Sequence, residues 1–378
     1  MPNSTQYTSD RLNFHGAAPR MWHGMTVGIW LKMLARGGFR VSPGRIPMCL
    51  SISLASAVNS TLRVWEELTT RRRVDAVDLQ PPLMIVGHWR TGTTLLHELM
   101  VLDEQFSYPT TLQVMAPHHF LSSGWLTRPL LRWTLPAHRP MDAMEMGIDL
   151  PQEDEFAICN LGLDSSYLQW GWPNDREYEK YLDFAASTPA HQQQWRKLFV
   201  RFLKRLAVAD PRRVVLKSPT HTARLGVFHD LFPAAQYVHL VRDPYDVIPS
   251  MIRTFQRLHY MQGLQAPRYD ELEDSMFNLF TTMHRLEQRD RELIPAGQYV
   301  DVRYEELIAE PIETIRGVYD RFGLDGFEQL RPKLDEYFEA KKDYRRNKHK
   351  LPPALAERIQ HECGDYVERF GYATAVES

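Results

Sequence analysis

Residues 81–100, PPLMIVGHWRTGTTLLHELM, constrain the fold of this chain more than any other segment. A short apolar run ends at Gly87, a loop continues to residue 94, and apolar residues then recur at helical spacing. A loop between a strand and a helix presents backbone N–H groups and the positive end of the helix dipole to an anion. The segment therefore predicts a phosphate or sulfate site.

This loop departs from the ordinary nucleotide-binding pattern in one informative way. Its spacing nearly matches G-x-x-x-x-G-K-[ST], but Thr93 stands at the position of the lysine, and the cation comes earlier, at Arg90. The structural alternative is a tight turn that needs glycine for its backbone angles. Because a cation, hydroxyl groups and a helix start coincide, anion binding is favoured, and ordinary ATP hydrolysis is not expected.

The composition is that of a globular chain with enough apolar residues for a large core. Of the 378 residues, 43% are hydrophobic and 24% are charged, and the formal net charge is −2. Because there is no global excess of positive charge, nucleic acid is not expected as a partner. Cys49, Cys159 and Cys363 show no CxxC spacing. A disulfide framework or a zinc site is therefore not expected, and a reducing cytoplasm fits.

The N-terminal region predicts helices with neither a signal peptide nor a membrane span. Residues 1–14 are polar and contain no apolar run. The apolar stretch 46–62 lies between Arg45 and Arg63, and it is short of the roughly 20 strongly apolar residues that a spanning helix needs. We expect a buried helix here, with a membrane-surface helix near a lipid substrate as the alternative. The predicted location is the cytoplasm, with peripheral membrane contact under that alternative.

From residue 82 onward, apolar strands alternate with amphipathic helices. The predicted strands are 83–87, 213–217, 236–241 and 298–302. The predicted helices are 92–103, 190–209, 222–231, 244–260, 269–292, 311–322, 326–341 and 353–370. This alternation indicates a P-loop-type three-layer α/β fold, in which helices flank a mostly parallel central sheet.

Two regions differ from this alternation. Residues 1–80 are predicted to form a helical extension packed on an α/β domain of residues 81–378. Within that domain, residues 105–175 are rich in Pro, Trp, His and Met and have weak periodicity, which predicts an irregular insertion on the substrate side. The helices after the last strand predict a C-terminal cap.

Two basic residues come at the ends of predicted strands. Lys217 ends one strand and Arg242 directly follows the next. Ligands bind at the carboxyl ends of strands in open α/β sheets, so both side chains are expected beside the loop 87–94. Ser250 follows Arg242 by eight residues, near the start of a helix, and the two together could hold a second phosphate. The alternatives are a surface lysine and a salt-bridged arginine without a ligand.

These three segments, in this order, resemble the sulfotransferase family that uses 3′-phosphoadenosine 5′-phosphosulfate (PAPS). The run Arg90-Thr91-Gly92-Thr93-Thr94 matches the family's 5′-phosphosulfate motif, [KR]-[ST]-G-T-[TS]. Residues Arg242 to Ser250 match its 3′-phosphate motif, R-[DN]-x-x-x-[DV]-x-x-S. Lys217 looks like the family's strand-end lysine, and Tyr304, in YVDVRYEELIAEP, looks like the tyrosine near the adenine.

The resemblance covers roughly residues 80–325 and implies a reaction. Such an enzyme moves a sulfuryl group from PAPS to a hydroxyl or amine of an acceptor, here a small molecule or a lipid-like compound. The chain is more similar to the broad bacterial branch that carries GHWR[ST]GTT, PQEDEFA and a C-terminal GY than to the small aryl and steroid enzymes. Here those segments are 87–94, 151–157 and 371–372. No metal is expected, since preorganised cations and N–H groups can stabilise the transferring group.

The general base is not at the family's usual positions. Aryl-type members carry a histidine two residues after the lysine, where this chain has Pro219, and the nearest histidine is His221. The segment PQEDEF offers Glu153 and Glu155, which point to different faces of a helix, so one of them is expected to point inward. His88, inside the loop, is a third possibility, and the acidic pair is slightly favoured over the histidines.

The C-terminal basic interval and the aromatic insertion suggest further contacts. Arg345 and Arg346 offer a substitute for the family's absent RKG loop, although a solvated charge run explains them nearly as well. Tryptophan and methionine side chains of the insertion predict an apolar acceptor pocket. Two other functions remain open at this level. One is a P-loop phosphotransferase using ATP, and the other is a non-catalytic nucleotide-binding protein.

Overall fold

The computed structural model describes residues 19–135, 145–175, 180–184, 187–341 and 351–372. Its centre is a parallel sheet of short strands, β1 (Leu83–Gly87), β2 (Phe106–Ser107), β3 (Arg213–Lys217), β4 (Gln236–Val241) and β5 (Tyr299–Arg303). The strand order is β2-β3-β1-β4-β5, and every pair is parallel. The connection after β1 leads to one side of the sheet and the connection after β4 to the other. The crevice at their carboxyl ends is therefore where an open α/β sheet binds its ligand.

Helices precede the sheet, connect its strands and follow it. Before the sheet come α1 (Val27–Arg36) and α2 (Ile46–Asp75). The connecting helices are α3 (Thr93–Met100), α4 (Thr111–Met115), α5 (Phe120–Thr134), α6 (Glu155–Asn160), α7 (Pro189–Ala209), α8 (Leu225–Leu231), α9 (Pro244–Gln262) and α10 (Leu272–Arg291). After β5 come α11 (Tyr304–Ala309), α12 (Pro311–Phe322), α13 (Phe327–Ala340), α14 (Pro353–Glu362) and α15 (Gly364–Phe370).

Alternation of side chains along β1 divides the core into layers. Leu83 and Ile85 pack with α3, α12 and α13 on one face, whereas Met84 and Val86 pack with α7 and α8 on the other. All five residues of β1 are buried, as expected for the central strand of a sheet covered on both faces. A third apolar cluster joins α9, α10, α14 and α15 to the N-terminal residues Trp22 and Trp30. These layers confirm the predicted three-layer α/β fold.

The predicted strands and helices agree closely with the observed ones. Strand 298–302 is shifted by one residue, and the helix expected over 353–370 divides at Cys363. The two-residue strand β2 was not predicted, because so short a segment carries no alternation. The segment 105–175 also contains α5, which was not predicted. Pro129 inside the helix and Gly124 obscure its periodicity in the sequence.

Helix α2 contains the apolar stretch 46–62, which the sequence left open between a buried helix and a membrane-surface helix. It extends over 30 residues, and its inward face carries few apolar side chains. Leu50 and Leu54, by contrast, are exposed. The expectation of a buried helix was therefore wrong for this face, because hydrophobicity alone does not tell which side of a helix meets the core. Among the described residues, no helix combines the length and apolar character that crossing a membrane requires.

Candidate active site

The loop after β1 has the backbone geometry of an anion-binding turn. Gly87, Arg90 and Gly92 all have positive φ angles, of 143°, 70° and 98°. A Cβ on Gly92 would approach the ring of Tyr304 to 2.4 Å, so only glycine fits between this loop and α11. Gly92 is also the N-cap of α3, and it has no side chain to accept hydrogen bonds from the first turn. The first N–H groups of α3 are therefore left for another acceptor.

Two cationic residues meet beside this loop. The Nε of Arg90 donates a hydrogen bond to Oγ of Ser250, at 3.1 Å. A guanidinium nitrogen of Arg242 donates to the backbone carbonyl of Arg90, at 3.2 Å, and its charged group lies 4.3 Å from the ring centre of Tyr304. Arg242 also pairs with Asp246 one helical turn later, at 2.7 Å. Segments far apart in sequence thus converge at the carboxyl ends of β1 and β4.

The C-terminal helices support Arg242 from behind. The phenol of Tyr366, on α15, accepts a hydrogen bond from the backbone N–H of Arg242, at 3.2 Å. The hydroxyl of Tyr372 contacts the carboxylate of Glu305 at 3.2 Å, and the same carboxylate group accepts from the N–H of Asp243. The position of the Arg242 backbone therefore depends on residues more than a hundred positions later in the chain.

Lys217 lies at the end of β3 and points toward the start of α3. Its side chain is 1% exposed, and its Nζ donates to Oε1 of Glu153 at 2.8 Å and lies 3.4 Å from Oγ1 of Thr94. An ammonium group so deeply buried needs a carboxylate partner to stay charged. The ion pair places Glu153 beside the loop after β1.

Glu155, two residues later, has a different role in the structure. It is fully buried, and both its carboxylate oxygens accept hydrogen bonds from Arg224, at 2.9 and 3.1 Å. Thr220 and Ser165 donate to the same carboxylate. With every lone pair engaged, Glu155 joins the insertion to the segment after β3 and has no oxygen left for an acceptor.

His221 is likewise held in the interior. Its Nε2 lies 2.7 Å from Asp154, and both side chains are fully buried. Burial alone would raise the pKa of Asp154, but the charge and hydrogen bond of His221 and a hydrogen bond from Ser218 outweigh it and lower the pKa below its ordinary value. The pair therefore anchors the segment before α6 to the turn after β3.

Burial also lowers the basicity of His88. Loss of hydration lowers its pKa to about 3, despite a hydrogen bond from the ring to the carbonyl of Trp89. A histidine with so low a pKa is neutral near pH 7 and a weak base. Among the residues proposed from sequence as a base, Glu153 is the one that faces Lys217 and the loop.

Tyr167, which the sequence did not single out, completes the arrangement. Its hydroxyl donates to Oε2 of Glu153 at 2.5 Å, so both carboxylate oxygens of Glu153 have partners. Burial, followed by the negative charge of Glu153, raises the pKa of Tyr167 well above its ordinary value, which keeps the phenol a donor. Its ring stacks on Trp170 at 4.0 Å and lies 5.8 Å from Trp89 in the loop.

The contacts described so far do not test the role of every site residue predicted from the sequence. Arg345 and Arg346 lie outside the described residues, and their contribution stays a prediction. Thr91 lies within the loop and donates from its hydroxyl to the carbonyl of His88 at 2.7 Å, so it shapes the turn. Thr93 begins α3 and is buried.

One group of side chains in the described residues has the spacing of a metal site. Ligand atoms of His239, Glu287 and Asp301 lie within 4.8 Å of one another. Arg369 already pairs with Glu287, and Arg291 pairs with Asp301. With both carboxylates neutralised by arginines, the group reads as an ion-pair network. The expectation that the reaction needs no metal stays a prediction.

Comparison with known proteins agrees with this geometry. Residues 81–329 match a protein family described as "Sulfotransferase family". Two curated proteins named "Omega-hydroxy-beta-dihydromenaquinone-9 sulfotransferase Stf3", from Mycobacterium bovis and Mycobacterium tuberculosis, are each 37% identical over 358 residues. Each alignment spans 94% of this chain and 92% of the relative.

Solved structures of sulfotransferases share the fold. STF9 from Mycobacterium avium superposes with a TM-score of 0.65 and 17% identity, over 92% of this chain and 96% of that one. STF1 from Mycobacterium tuberculosis gives a TM-score of 0.58 and 19% identity, over 80% and 84% of the two chains. With the match to the family extending over most of the α/β domain, and relatives aligned along nearly the whole chain, this protein belongs to the sulfotransferase family.

Proposed function

We propose that the crevice between β1 and β4 binds PAPS and that Glu153 is the general base for sulfuryl transfer. The sulfotransferase family uses this donor, and the residues proposed to hold it fall into two groups. The loop 90–94 and the start of α3 hold the 5′-phosphosulfate, because the loop has positive φ angles and the first N–H groups of a helix have no partner within it. Arg242 and Ser250 hold the 3′-phosphate, and Tyr304 lies beside the adenine.

The Lys217–Glu153 ion pair, at 2.8 Å, is the observation that carries this proposal. It places an acid–base group and a cation side by side next to the loop. During transfer, the acceptor oxygen forms a bond to sulfur while the bond from sulfur to the bridging phosphate oxygen breaks. The electron pair of that bond stays on the nucleotide, where Lys217 stabilises it, and the acceptor proton goes to the carboxylate of Glu153.

Aromatic side chains favour a hydrophobic acceptor. The rings of Trp89, Phe156 and Trp170 contact Tyr167, and Phe255 packs on Trp89 and Trp170, so an aromatic cluster lies next to Glu153. The curated relatives are named for a hydroxylated menaquinone, a lipid-soluble compound. We therefore propose a hydroxyl-bearing isoprenoid or similar lipid as the acceptor class, with the enzyme reaching it at a membrane surface.

The donor site is tested by thermal-shift titration with adenosine 3′,5′-bisphosphate and, separately, with ATP and Mg²⁺. A ligand that binds only the native state raises the melting temperature by mass action. We expect a shift with the bisphosphate and none with ATP. Arg242→Ala should raise the apparent dissociation constant by about tenfold to a hundredfold, since a hydrogen bond to a charged group is lost.

Arg316→Ala is the matched control for this titration. Arg316 lies on α12 and forms ion pairs with Glu313 and Glu328, away from the crevice. Its replacement should leave bisphosphate binding unchanged. A shift produced only by ATP with Mg²⁺, or an equal loss of binding in both arginine variants, would contradict the proposed donor site.

A further inference from the structure

The outward faces of α1, α2 and α5 carry exposed apolar side chains, whereas most of the buried side chains of α2 are polar. We call this surface the outer face, and its most prominent side chains are Leu50, Leu54, Trp65, Leu68, Trp125 and Trp133. Leu54, Leu68 and Trp133 are 72%, 81% and 86% exposed. From residue 46 to residue 62, α2 carries no ionisable side chain that would break this surface, apart from a cysteine thiol that is half-buried.

Polar contacts fix which side of α2 faces inward. Asn59 donates to the backbone carbonyls of His23 and Met25, at 2.6 and 3.0 Å, and its Oδ1 accepts from Nε2 of His119 at 3.1 Å. Glu66, fully buried, accepts from the N–H and the hydroxyl of Ser122. Because these buried groups need their partners, α2 cannot rotate to bury its leucines without losing them. The apolar side is therefore held outward by the fold.

Charge around the outer face is mainly positive, although Arg36 and Arg128 pair with Asp164 and Asp149. Neither α1 nor α5 contains an acidic residue, and they carry four basic ones: Lys32, Arg36, Arg128 and Arg132. Helix α2 adds Arg63 and the run 71–73. Of its acidic residues, Glu66 is buried, and the partly exposed Glu67 and Asp75 pair with Arg201. An apolar surface bordered by cations complements a bilayer with anionic headgroups.

The same charge pattern argues against a second copy of this chain as the occupant. In a two-fold symmetric contact, one surface meets itself, so the arginines of one copy would face those of the other. Like charges across an interface are unfavourable. Exposed tryptophans at positions 65, 125 and 133 agree with a lipid occupant, because tryptophan is enriched where hydrocarbon meets headgroups.

The outer face adjoins the proposed acceptor side of the crevice. A cavity of about 20 Å³ separates α1 from the segment after α6, and Met25, Ile29, Met33 and Leu168 are among its apolar lining. Leu168 directly follows Tyr167, whose hydroxyl contacts Glu153. Helix α1, whose outward side belongs to the outer face, thus packs on the segment that carries Tyr167.

We propose that the outer face docks the enzyme on the interface of an anionic lipid bilayer, with α2 lying along the membrane plane. The inference deepens the proposed function, because a membrane-dissolved acceptor would then be taken up through the side covered by α1. Binding to the bilayer itself follows from the outer face alone and does not depend on sulfuryl transfer.

Vesicle co-sedimentation of the full chain tests this docking. Vesicles of phosphatidylglycerol mixed with phosphatidylcholine are compared with vesicles of phosphatidylcholine alone, at low and high salt. We expect stronger binding to the anionic vesicles and weakening by salt. The double variant Leu50→Glu/Leu54→Glu should bind the anionic vesicles at least roughly tenfold more weakly, since two apolar side chains no longer enter the interface.

Leu293→Glu is the matched control, because Leu293 is also an exposed leucine, 56% accessible, but lies beyond the end of α10. It should bind vesicles like the unmodified enzyme. Trp133→Ala, a truncation of an exposed side chain, gives a second variant that adds no charge, and it should weaken binding as well. Melting temperatures of all variants confirm that they fold.

Three outcomes would overturn the docking proposal. They are equal binding by the leucine double variant and the control, no preference for anionic vesicles, and a solution dimer that the double substitution dissociates in velocity sedimentation. Titration with adenosine 3′,5′-bisphosphate separates this result from the donor proposal. Normal nucleotide binding without vesicle binding rejects only the docking surface, whereas vesicle binding without nucleotide binding rejects only the donor site.

Discussion

Glu153 and Glu155 allow one chemical change to be made at two neighbouring positions with opposite expected results. Replacing either with glutamine keeps the size of the side chain and removes its charge. Glu153 pairs with Lys217 beside the loop, whereas Glu155 shares both oxygens with Arg224 in the interior. The first substitution should therefore remove activity with the fold retained, and the second should weaken the fold.

The expected magnitudes follow from these contacts. Loss of a positioned general base costs a factor of about 10² to 10⁴ in rate, so Glu153→Gln should lower kcat by that factor. Lys217, unlike an arginine, can release its proton when the carboxylate is removed and still donate to the glutamine oxygen, so the melting temperature should fall by only about 2 °C. Removing the charge of Glu155 takes the paired carboxylate away from Arg224, which is fully buried. This should cost about 3 kcal/mol in the free energy of unfolding, or roughly 6 °C in melting temperature.

Transfer of labelled sulfate from PAPS to a hydroxyl-terminated menaquinone analogue measures the rates, and thermal melts measure stability. Bisphosphate titration of both variants, below their melting range, shows whether donor binding is kept. The reasoning fails if Glu153→Gln keeps more than a tenth of the kcat of the unmodified enzyme. It fails equally if Glu155→Gln loses activity while its melting temperature stays unchanged, because Glu155 would then act in the chemistry.

Three further results are expected. Gly92→Ala should abolish detectable bisphosphate binding, because its new Cβ would overlap the ring of Tyr304 and its φ angle is unfavourable for alanine; a titration like that of the unmodified enzyme would contradict this. Tyr167→Phe should lower kcat about tenfold with an unchanged KM for PAPS, because Glu153 loses an orienting hydrogen bond; an altered donor KM with normal kcat would argue against that role. Stability should decrease as the pH falls below 6.5, since burial lowers the pKa of five native histidines to about 3 or about 4, and the unfolded chain alone takes up their protons (His88, His118, His119, His259 and His284). Each should remove about 1 kcal/mol from the free energy of unfolding between pH 7.5 and pH 5.5, and urea titrations with no such slope would refute it.

Local patterns in the sequence predicted the strands, the helices and the residues at the ends of strands. The strand, loop and helix around residues 83–100 follow from hydrophobic spacing and glycine positions. Lys217 and Arg242 were expected at one sheet edge because parallel strands end together. Both cations and the loop do lie at that edge. The roles assigned to them stay predictions.

Other features depend on tertiary contacts that no short pattern records. Tyr167 and Glu153 lie in a region of weak periodicity, so the sequence does not predict the hydrogen bond between them. Nothing in the sequence marked Arg224 or Asp154, and they are the buried partners of Glu155 and His221. The partners in these ion pairs are more than 60 residues apart in sequence, so no short segment shows that the two residues will meet.

The hydrogen bond between Tyr366 and the backbone of Arg242 has a practical consequence. The region by which this enzyme is recognised, residues 81–329, ends well before α15 begins. A shortened protein trimmed to that region would keep both proposed phosphate motifs and still lose the hydrogen bond that supports the backbone of Arg242. What suffices to identify such a catalyst is thus smaller than what suffices to operate it, and expression boundaries are better chosen from the support of Arg242 than from the limits of similarity.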